Sequence, residues 1–473
     1  MKISKSSIKH FVGERRFWHE ALRLAMPIAL QNLLVSSFTL VDTLMVGQLG
    51  DLSLSAVGMA GQWAWLFNMF LFGLCSGGSV IFAQLWGIKD RDGIRRTASI
   101  VTVLASCFCA VFFLSALLLP EGVMRIFNKN PDVIKAGTEY IKIALFSYPA
   151  VMASNIFSAL LRSTENVKLP LITSAFSTVF NAVFNYGLIF GRFGMPEMGI
   201  RGAALATVIS AWAGFILLVL LSVFQKNILV EHVSSYLHVT REDFKVFVKT
   251  AMPVVFNEGA WGLGTMLYNI IFSNLGYEYY AAVTINKTFE NIAFVFFVGF
   301  CNACCVMVGK RVGAGEIERA KLDARRFAVI EPLMAVFVGI FIIIFRSNLV
   351  QIFNMGNAIS DLTLKTATGI MLIYGLHLPM RMLPYIQIVG IFRSGGDTVN
   401  GAKFDMLTLW LIALPVTYIT AYVIKLPFVA VYALMFVCED YPKNVMCLRH
   451  LLSDKWLKPI TKEGQATMTA EAE

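Results

Sequence analysis

Residues 25–50, AMPIALQNLLVSSFTLVDTLMVGQLG, have a counterpart at residues 251–276, AMPVVFNEGAWGLGTMLYNIIFSNLG. Both segments open on Ala-Met-Pro and close on Leu-Gly, and they lie 226 residues apart. The same offset relates Ala56-Val57 to Ala282-Val283, Gly73 to Gly299, Gly87 to Gly313, Phe127-Asn128 to Phe353-Asn354 and Tyr148 to Tyr374. A few more residues then enter the second copy, so that Arg162 is matched by Arg393 at an offset of 231. So many matches in one register mark an internal duplication.

The duplicated unit is a set of membrane spans. Of 473 residues, 57% are hydrophobic and 15% charged, against about 25% charged in a soluble domain. The apolar residues come in runs such as Ile100–Leu119, Leu205–Phe224 and Val329–Phe345, each able to cross a hydrocarbon core about 30 Å thick. About twelve spans are predicted, centred near residues 34, 68, 108, 147, 179, 213, 260, 295, 336, 376, 413 and 435. The last is expected to be interrupted at Cys438-Glu439-Asp440-Tyr441-Pro442. Six spans per copy is an even number, so both copies enter the membrane from the same side as parallel repeats. The predicted fold is all-α and polytopic, with two six-helix bundles. Residues 1–224 form the first lobe, 225–248 a polar amphipathic linker, 249–455 the second lobe, and 456–473 a polar, disordered tail.

Charge sets the orientation. Ends and loops on the N-terminal side carry 29 Lys and Arg, and the opposite loops nine. The positive-inside rule then puts both termini in the cytoplasm. Anionic headgroups on that side also account for the net charge of +10, with membrane lipids as neighbours and no nucleic-acid partner. No short apolar core with a small-residue cleavage site opens the chain, so no removable signal peptide is expected.

Several chemistries find no support. Six of the eight cysteines lie within or beside apolar spans, and Cys301-x-x-Cys304-Cys305 has no loop His or second Cys pair to complete a metal site. Buried small residues at a helix contact are the expectation there. His10, His19, His232 and His450 fall in terminal or loop regions, where no chemistry is expected of them. The chain carries no Gly-x-x-x-x-Gly-Lys-Ser/Thr phosphate loop. Neither an enzyme nor an ATP-driven pump is indicated, and no cofactor or structural metal is expected.

Ionisable groups within spans cost about 2.5–3.5 kcal/mol each on insertion scales, so each needs a reason. In the first half the clear case is Asp42, which shares a helix face with Thr39, Phe38, Val35 and Gln31. The fifth span carries a stripe at intervals of three and four: Ser174, Ser177, Thr178, Asn181 and Asn185. Facing Asp42, that stripe forms a carboxylate–amide cluster able to hold a proton or Na⁺, or serving only to fix helix packing. The second half is more charged. Glu258 lies in a span loosened by Pro253, Gly259, Gly262 and Gly264. Lys287 and Glu290 are spaced for an internal ion pair. Tyr374, His377 and Arg381 share a face of the tenth span, and Glu331-Pro332 begins the ninth, near the interface. A single network of Glu258, Lys287, Glu290 and Arg381 is expected, for coupling, substrate binding or mutual neutralisation.

The segment from Ala25-Met26-Pro27 to Val41-Asp42-Thr43-Leu44-Met45-Val46-Gly47-Gln48-Leu49-Gly50 resembles the opening span of the multidrug and toxic compound extrusion (MATE) family. Residues 181–191 with 198–207 resemble that family's fifth and sixth spans, and Val312-Gly313-Ala314-Gly315 with Arg319-Ala320 the signature after its eighth. The resemblance covers nearly the whole chain. It implies a bacterial inner-membrane antiporter, a monomer, exporting small organic cations by alternating access in exchange for H⁺ or Na⁺. Asp42, Asn181 and Asn185 match the family's cation-coupling cluster, which could hold a proton or Na⁺, with Thr207 near another polar position of it. Asn185 stands where some members have a second acid. Glu258 matches the acid of the seventh span, but the tenth, around His377 and Arg381, lacks the acid several members carry there. The alternative is a flippase or exporter of a lipid-linked or metabolite substrate from the same superfamily, whose anionic cargo calls for a basic lumen.

Overall fold

The computed structural model describes residues 15–127, 130–229, 239–352 and 359–472. His10, Asn128, His232, Phe353, Asn354 and the middle of the expected linker lie outside the described residues. The described chain is helical. Its long helices are α1 (Arg15–Gly47), α2 (Asp51–Gly87), α3 (Arg91–Leu118), α4 (Pro131–Ser163), α5 (Lys168–Phe190), α6 (Ile200–Phe224), α7 (Arg241–Leu275), α8 (Tyr277–Gly313), α9 (Ile317–Ile352), α10 (Asp361–Tyr385), α11 (Thr398–Val423) and α12 (Phe428–Leu452). A thirteenth, α13 (Lys462–Ala472), closes the chain.

Each of the twelve expected span centres falls inside one of α1–α12. Eight of these helices are long and apolar enough to cross a membrane on composition alone. The four that fall short, α5, α7, α10 and α12, carry the Asn stripe, Glu258, Arg381 and the Glu439-Asp440 pair. Their hydropathy is low because polar groups face the protein interior. The twelfth span needs correction: α12 runs unbroken through Glu439-Asp440, with Pro442 inside the helix.

Local sequence explains where the helices start and stop. Asp90 caps α3 by accepting from the Gly93 amide at 2.8 Å, and Ser360 caps α10 by accepting from Thr363. Gly191, at φ 66°, ends α5 in the left-handed conformation. α10 continues past Pro379 and Pro384 into a π-helical turn, Ile386–Phe392, and α11 holds two more, Leu407–Ala413 and Ile419–Val423. Such turns cluster at functional sites.

Contacts gather the described chain into two units. The first takes the start of α1 up to Ala29, Ala83–Lys89 at the end of α2, and everything from Phe256 on; the second takes Leu30–Phe82 and Asp90–Val255. Small residues explain these groupings. A side chain at Gly299 of α8 would come within 2.8–2.9 Å of Ala25 and Ala29 of α1, inside the first unit. A side chain at Gly73 of α2 would come within 2.9 Å of Val255 of α7, inside the second. At the repeat offset Gly73 corresponds to Gly299 and Val255 to Ala29. The duplicated glycines are therefore duplicated helix crossings, where missing side chains let backbones approach. Gly87 and Gly313 form a further crossing in the first unit, each set against the backbone of the other's helix.

The C-terminal segment also needs correction, because it is folded. Trp456 is 1% exposed, Lys458 N–H donates to the Gly395 carbonyl at 2.7 Å, and Thr461 donates to that of Gly313 at 2.7 Å. Gln84 of α2 donates to the Ser394 carbonyl and accepts from the Ile460 amide. Polar composition suggested a solvated tail; these backbone partners give it fixed positions instead.

Candidate functional site

The second unit contains a continuous polar chain. Asn185 Nδ2 donates to Asp42 Oδ1 at 2.7 Å and to Asn181 Oδ1 at 2.6 Å. Asn181 Nδ2 donates to Ser210 Oγ at 3.0 Å, and Ser210 Oγ to the Thr207 carbonyl at 3.0 Å. The spacing of four between Asn181 and Asn185 stacks them on one face of α5, which turns one amide towards α1 and the other towards α6. Both are fully buried, and the Asn185 Oδ1 has no protein donor. Thr207 donates to the Ala203 carbonyl, and Tyr140 of α4 hydrogen-bonds Thr207 within electrostatic reach of Asp42.

Beside this chain lies a cavity of about 340 Å³. Gln31 and Val35 of α1, Asn155 of α4, Ser177 and Asn181 of α5 and Thr207 of α6 help to line it, and no lining residue is charged. Gln31 donates to Ser174 at 2.9 Å and accepts from Arg162 at 3.4 Å. The expected Asp42 face and amide stripe thus meet; the Phe38 side chain lies outside the described residues. Sequence reasoning missed Ser210 and Tyr140, which single-helix periodicity does not reveal.

The first unit is built from ion pairs, and the expected four-residue network divides in two. Glu258, 9% exposed, accepts from Arg393 Nη2 at 2.6 Å. Arg381 pairs instead with Glu290 at 3.4 Å and lies over the Phe436 ring at 4.9 Å. Lys287 does not pair with Glu290 directly: its Nζ donates to Asn269 Oδ1 at 2.7 Å, with Glu290 nearby. Helical spacing brings Lys287 and Glu290 to one side of α8, but the amide on α7 and the guanidinium on α10 offer each a closer partner. Glu258 is separated because Arg393, beyond the π turn of α10, reaches it first.

Around this lies a cluster on α11 and α12. Lys443 joins Asp405 at 2.7 Å and Glu439 at 3.1 Å, and Tyr268 donates to Glu439 at 3.3 Å. Asp440 is 2% exposed, within reach of Arg381 and Lys443. His377 hydrogen-bonds its own helix at the Ile373 carbonyl and stacks on Phe436. Sequence reasoning missed Arg393, Asp405 and Lys443 and read Glu439-Asp440 as an interruption. The repeat held a signal for the first, because Arg393 is the counterpart of Arg162. Glu331 lies inside α9, fourteen residues after its first residue, and is fully buried.

Chemically, the two clusters offer different things. Asp42 is hydrogen-bonded by the neutral amide of Asn185 and can change charge without breaking an ion pair. Glu258, Glu290 and Glu439 each face a basic side chain.

Comparison with known proteins agrees with this fold. The family model MatE matches residues 27–187 and again 253–419, two segments that begin 226 residues apart. A probable multidrug resistance protein NorM of Thermotoga maritima is 26% identical over 96% of this chain and 94% of its own length. Multidrug and toxin extrusion protein 1 of Danio rerio is 25% identical over 84% of this chain and 65% of its own length. Among solved structures, a MATE in the bent conformation superposes with a TM-score of 0.83 at 16% identity, covering 98% of both chains. A MOP superfamily transporter from Pyrococcus furiosus, described as having a binding pocket of reversed polarity, gives 0.81 at 16% identity over the full length of both.

Proposed function

The chain belongs to the MatE family, and on that premise we propose that it is a secondary antiporter exporting small organic cations across the bacterial inner membrane in exchange for protons. The observation that carries this reading is the Asp42–Asn185–Asn181 chain beside an uncharged polar cavity. The names of its relatives, multidrug resistance and multidrug extrusion proteins, supply the substrate class. The excess of Lys and Arg on the N-terminal side supports cytoplasmic termini.

Asp42 is the coupling residue in this reading, with Asn181, Asn185 and Thr207 as its polar surround. A proton fits because the carboxylate meets the N–H of Asn185 at one oxygen and its ionisation breaks no ion pair. Na⁺ would need amide carbonyls turned towards it; the buried Asn185 Oδ1 is the one free to do so. Protonation at Asp42 changes the affinity of one conformational state over the other, and only such a difference moves the equilibrium that expels the cargo. The cargo is a cation in this reading, supported by the engagement of Arg381, Arg393 and Lys443 with acids and of Lys287 with the Asn269 amide. The protein acts as a monomer in this reading.

The test uses purified protein in liposomes with ethidium as the cargo. Flux is expected to follow an imposed pH gradient and not a Na⁺ gradient, and to fall to the leak of empty liposomes in Asp42→Asn. Flux driven by Na⁺ alone would replace the coupling ion. Full coupled transport by a folded Asp42→Asn protein would remove Asp42 from the mechanism.

A further inference from the structure

Among the described residues, the second half contains a fully buried acid, Glu331, with no basic partner. Glu331 lies inside α9, is 0% exposed, and neither carboxyl oxygen has a hydrogen-bond partner. The ionisable groups near enough to feel its charge are Cys301 and Cys304 of α8 and Tyr385 of α10. Tyr385 in turn feels Glu258 of α7 and Arg393, the ion pair described above. Cys305, the third thiol of the α8 run, faces Arg393. Arg393 is held by Glu258 at 2.6 Å, so no cation is spare for Glu331.

An ionised carboxylate here would lack both counter-ion and hydrogen bonds, a state so costly that buried groups neutralise instead. The site also borders the π turn of α10. Cys301 and Cys304 pack against Gly390, in the π turn of α10, where an added side chain would come within 3.2–3.4 Å of their sulfurs. That same turn holds Gln387, fully buried with neither amide atom bonded. At the repeat offset the first half has Ala105, 1% exposed, in place of Glu331. Helix packing at this position therefore needs no carboxyl.

We infer that Glu331 is a second proton-binding site, carrying a proton in this state and exchanging it during the transport cycle. The inference rests on the proton-antiport reading, because it assigns a second acid to the same coupling.

Infrared spectroscopy of the purified, cargo-free protein tests it directly. Wild type is expected to show the carbonyl stretch of a protonated carboxyl at about pH 8, far above the ordinary glutamate value of about 4.3. Glu331→Gln should lose that band, and Glu258→Gln should keep it. A Glu331→Gln spectrum that retains every protonated-carboxyl band overturns the proposal. Should that variant fail to fold, the wild-type spectrum still decides, since absence of the band at about pH 8 has the same meaning. In liposomes, Glu331→Gln should retain ethidium–ethidium exchange and lose export driven by a pH gradient; equal loss of both would mark a structural role and overturn the assignment. Failure of the antiport reading shows separately, as wild-type liposomes that move no ethidium under a pH gradient.

Discussion

The two copies share a register of helices but solve the problem of buried polarity differently. Where the first half sets a lone acid among amides, the second sets acids against bases. Asp42 accepts from Asn185; its counterpart at the repeat offset is Tyr268, which donates to Glu439. Arg162 meets the neutral Gln31, whereas its counterpart Arg393 meets Glu258. An acid held by dipoles can be protonated at the cost of rearranged hydrogen bonds. An acid held by a guanidinium must also abandon a buried cation. The first arrangement suits a switch and the second a lock. By this logic Asp42 and Glu331, neither of which is in an ion pair, are suited to take up and release a proton.

Cutting the lock gives the largest effect expected on stability. Arg393→Met leaves Glu258 buried and unpaired, a change that costs about 3–5 kcal/mol. Glu258→Gln with Arg393→Met should recover most of that loss, because no orphaned charge remains. Asp42→Asn, by contrast, should cost under about 1 kcal/mol, since an amide can still hydrogen-bond Asn185. Thermal unfolding in detergent measures all three. Equal losses in Arg393→Met and Asp42→Asn would erase the distinction between the halves.

Much of this organisation was legible in the sequence, and the parts that were not share a cause. Twelve spans and the duplication follow from local hydropathy and from residues compared at a fixed offset. The Asp42–Asn185 contact was accessible because each partner lies on a periodic face. Periodicity gives the face of a helix, however, and not its neighbour. Arg393 lies 135 residues from Glu258, and only the three-dimensional packing sets it closer than Arg381. Glu439-Asp440 looked like a break in a span because hydropathy counts charges and ignores Lys443 one turn away. The folded C-terminal segment is held largely by backbone hydrogen bonds, which composition does not display.

Equivalence of the scaffold beneath these clusters can be tested at the duplicated crossings. Gly73→Ala meets Val255, and Gly299→Ala meets Ala25 and Ala29. Each overpacks a tight contact, for which about 1–3 kcal/mol is typical. The two losses should agree within about 1 kcal/mol, since the neighbours are related by the same repeat. Thermal unfolding of the single variants reads this. Unequal losses would mean that the halves differ in scaffold as well as in charge.

The smallest effect sits just outside the membrane spans, where the contrast between the halves recurs. Asn166, half-buried and neutral, donates to Gln225 at 3.3 Å. Its counterpart at the offset of 231 is Asp397, 1% exposed at the side chain, joined to His450 at 2.7 Å and Lys458 at 2.9 Å. Burial alone pushes the Asp397 carboxyl upward, but donors from His450, Asn400 and Lys458 outweigh it and hold it at about 2. Because the folded value lies below the unfolded one, the stabilisation is complete above about pH 4 and fades as the pH falls through about 2. Lys458 is half exposed, so solvent screening reduces the contribution to about 1–2 kcal/mol. Asp397→Asn should therefore raise hydrogen exchange across residues 456–472 at neutral pH and leave it unchanged in acid, where the wild type loses the same interaction. Asn166→Ala should move exchange in the first half little at any pH, because no charge is involved there. An acid-dependent response at Asn166, or none at Asp397, would place the difference between the halves somewhere other than in their ion pairs.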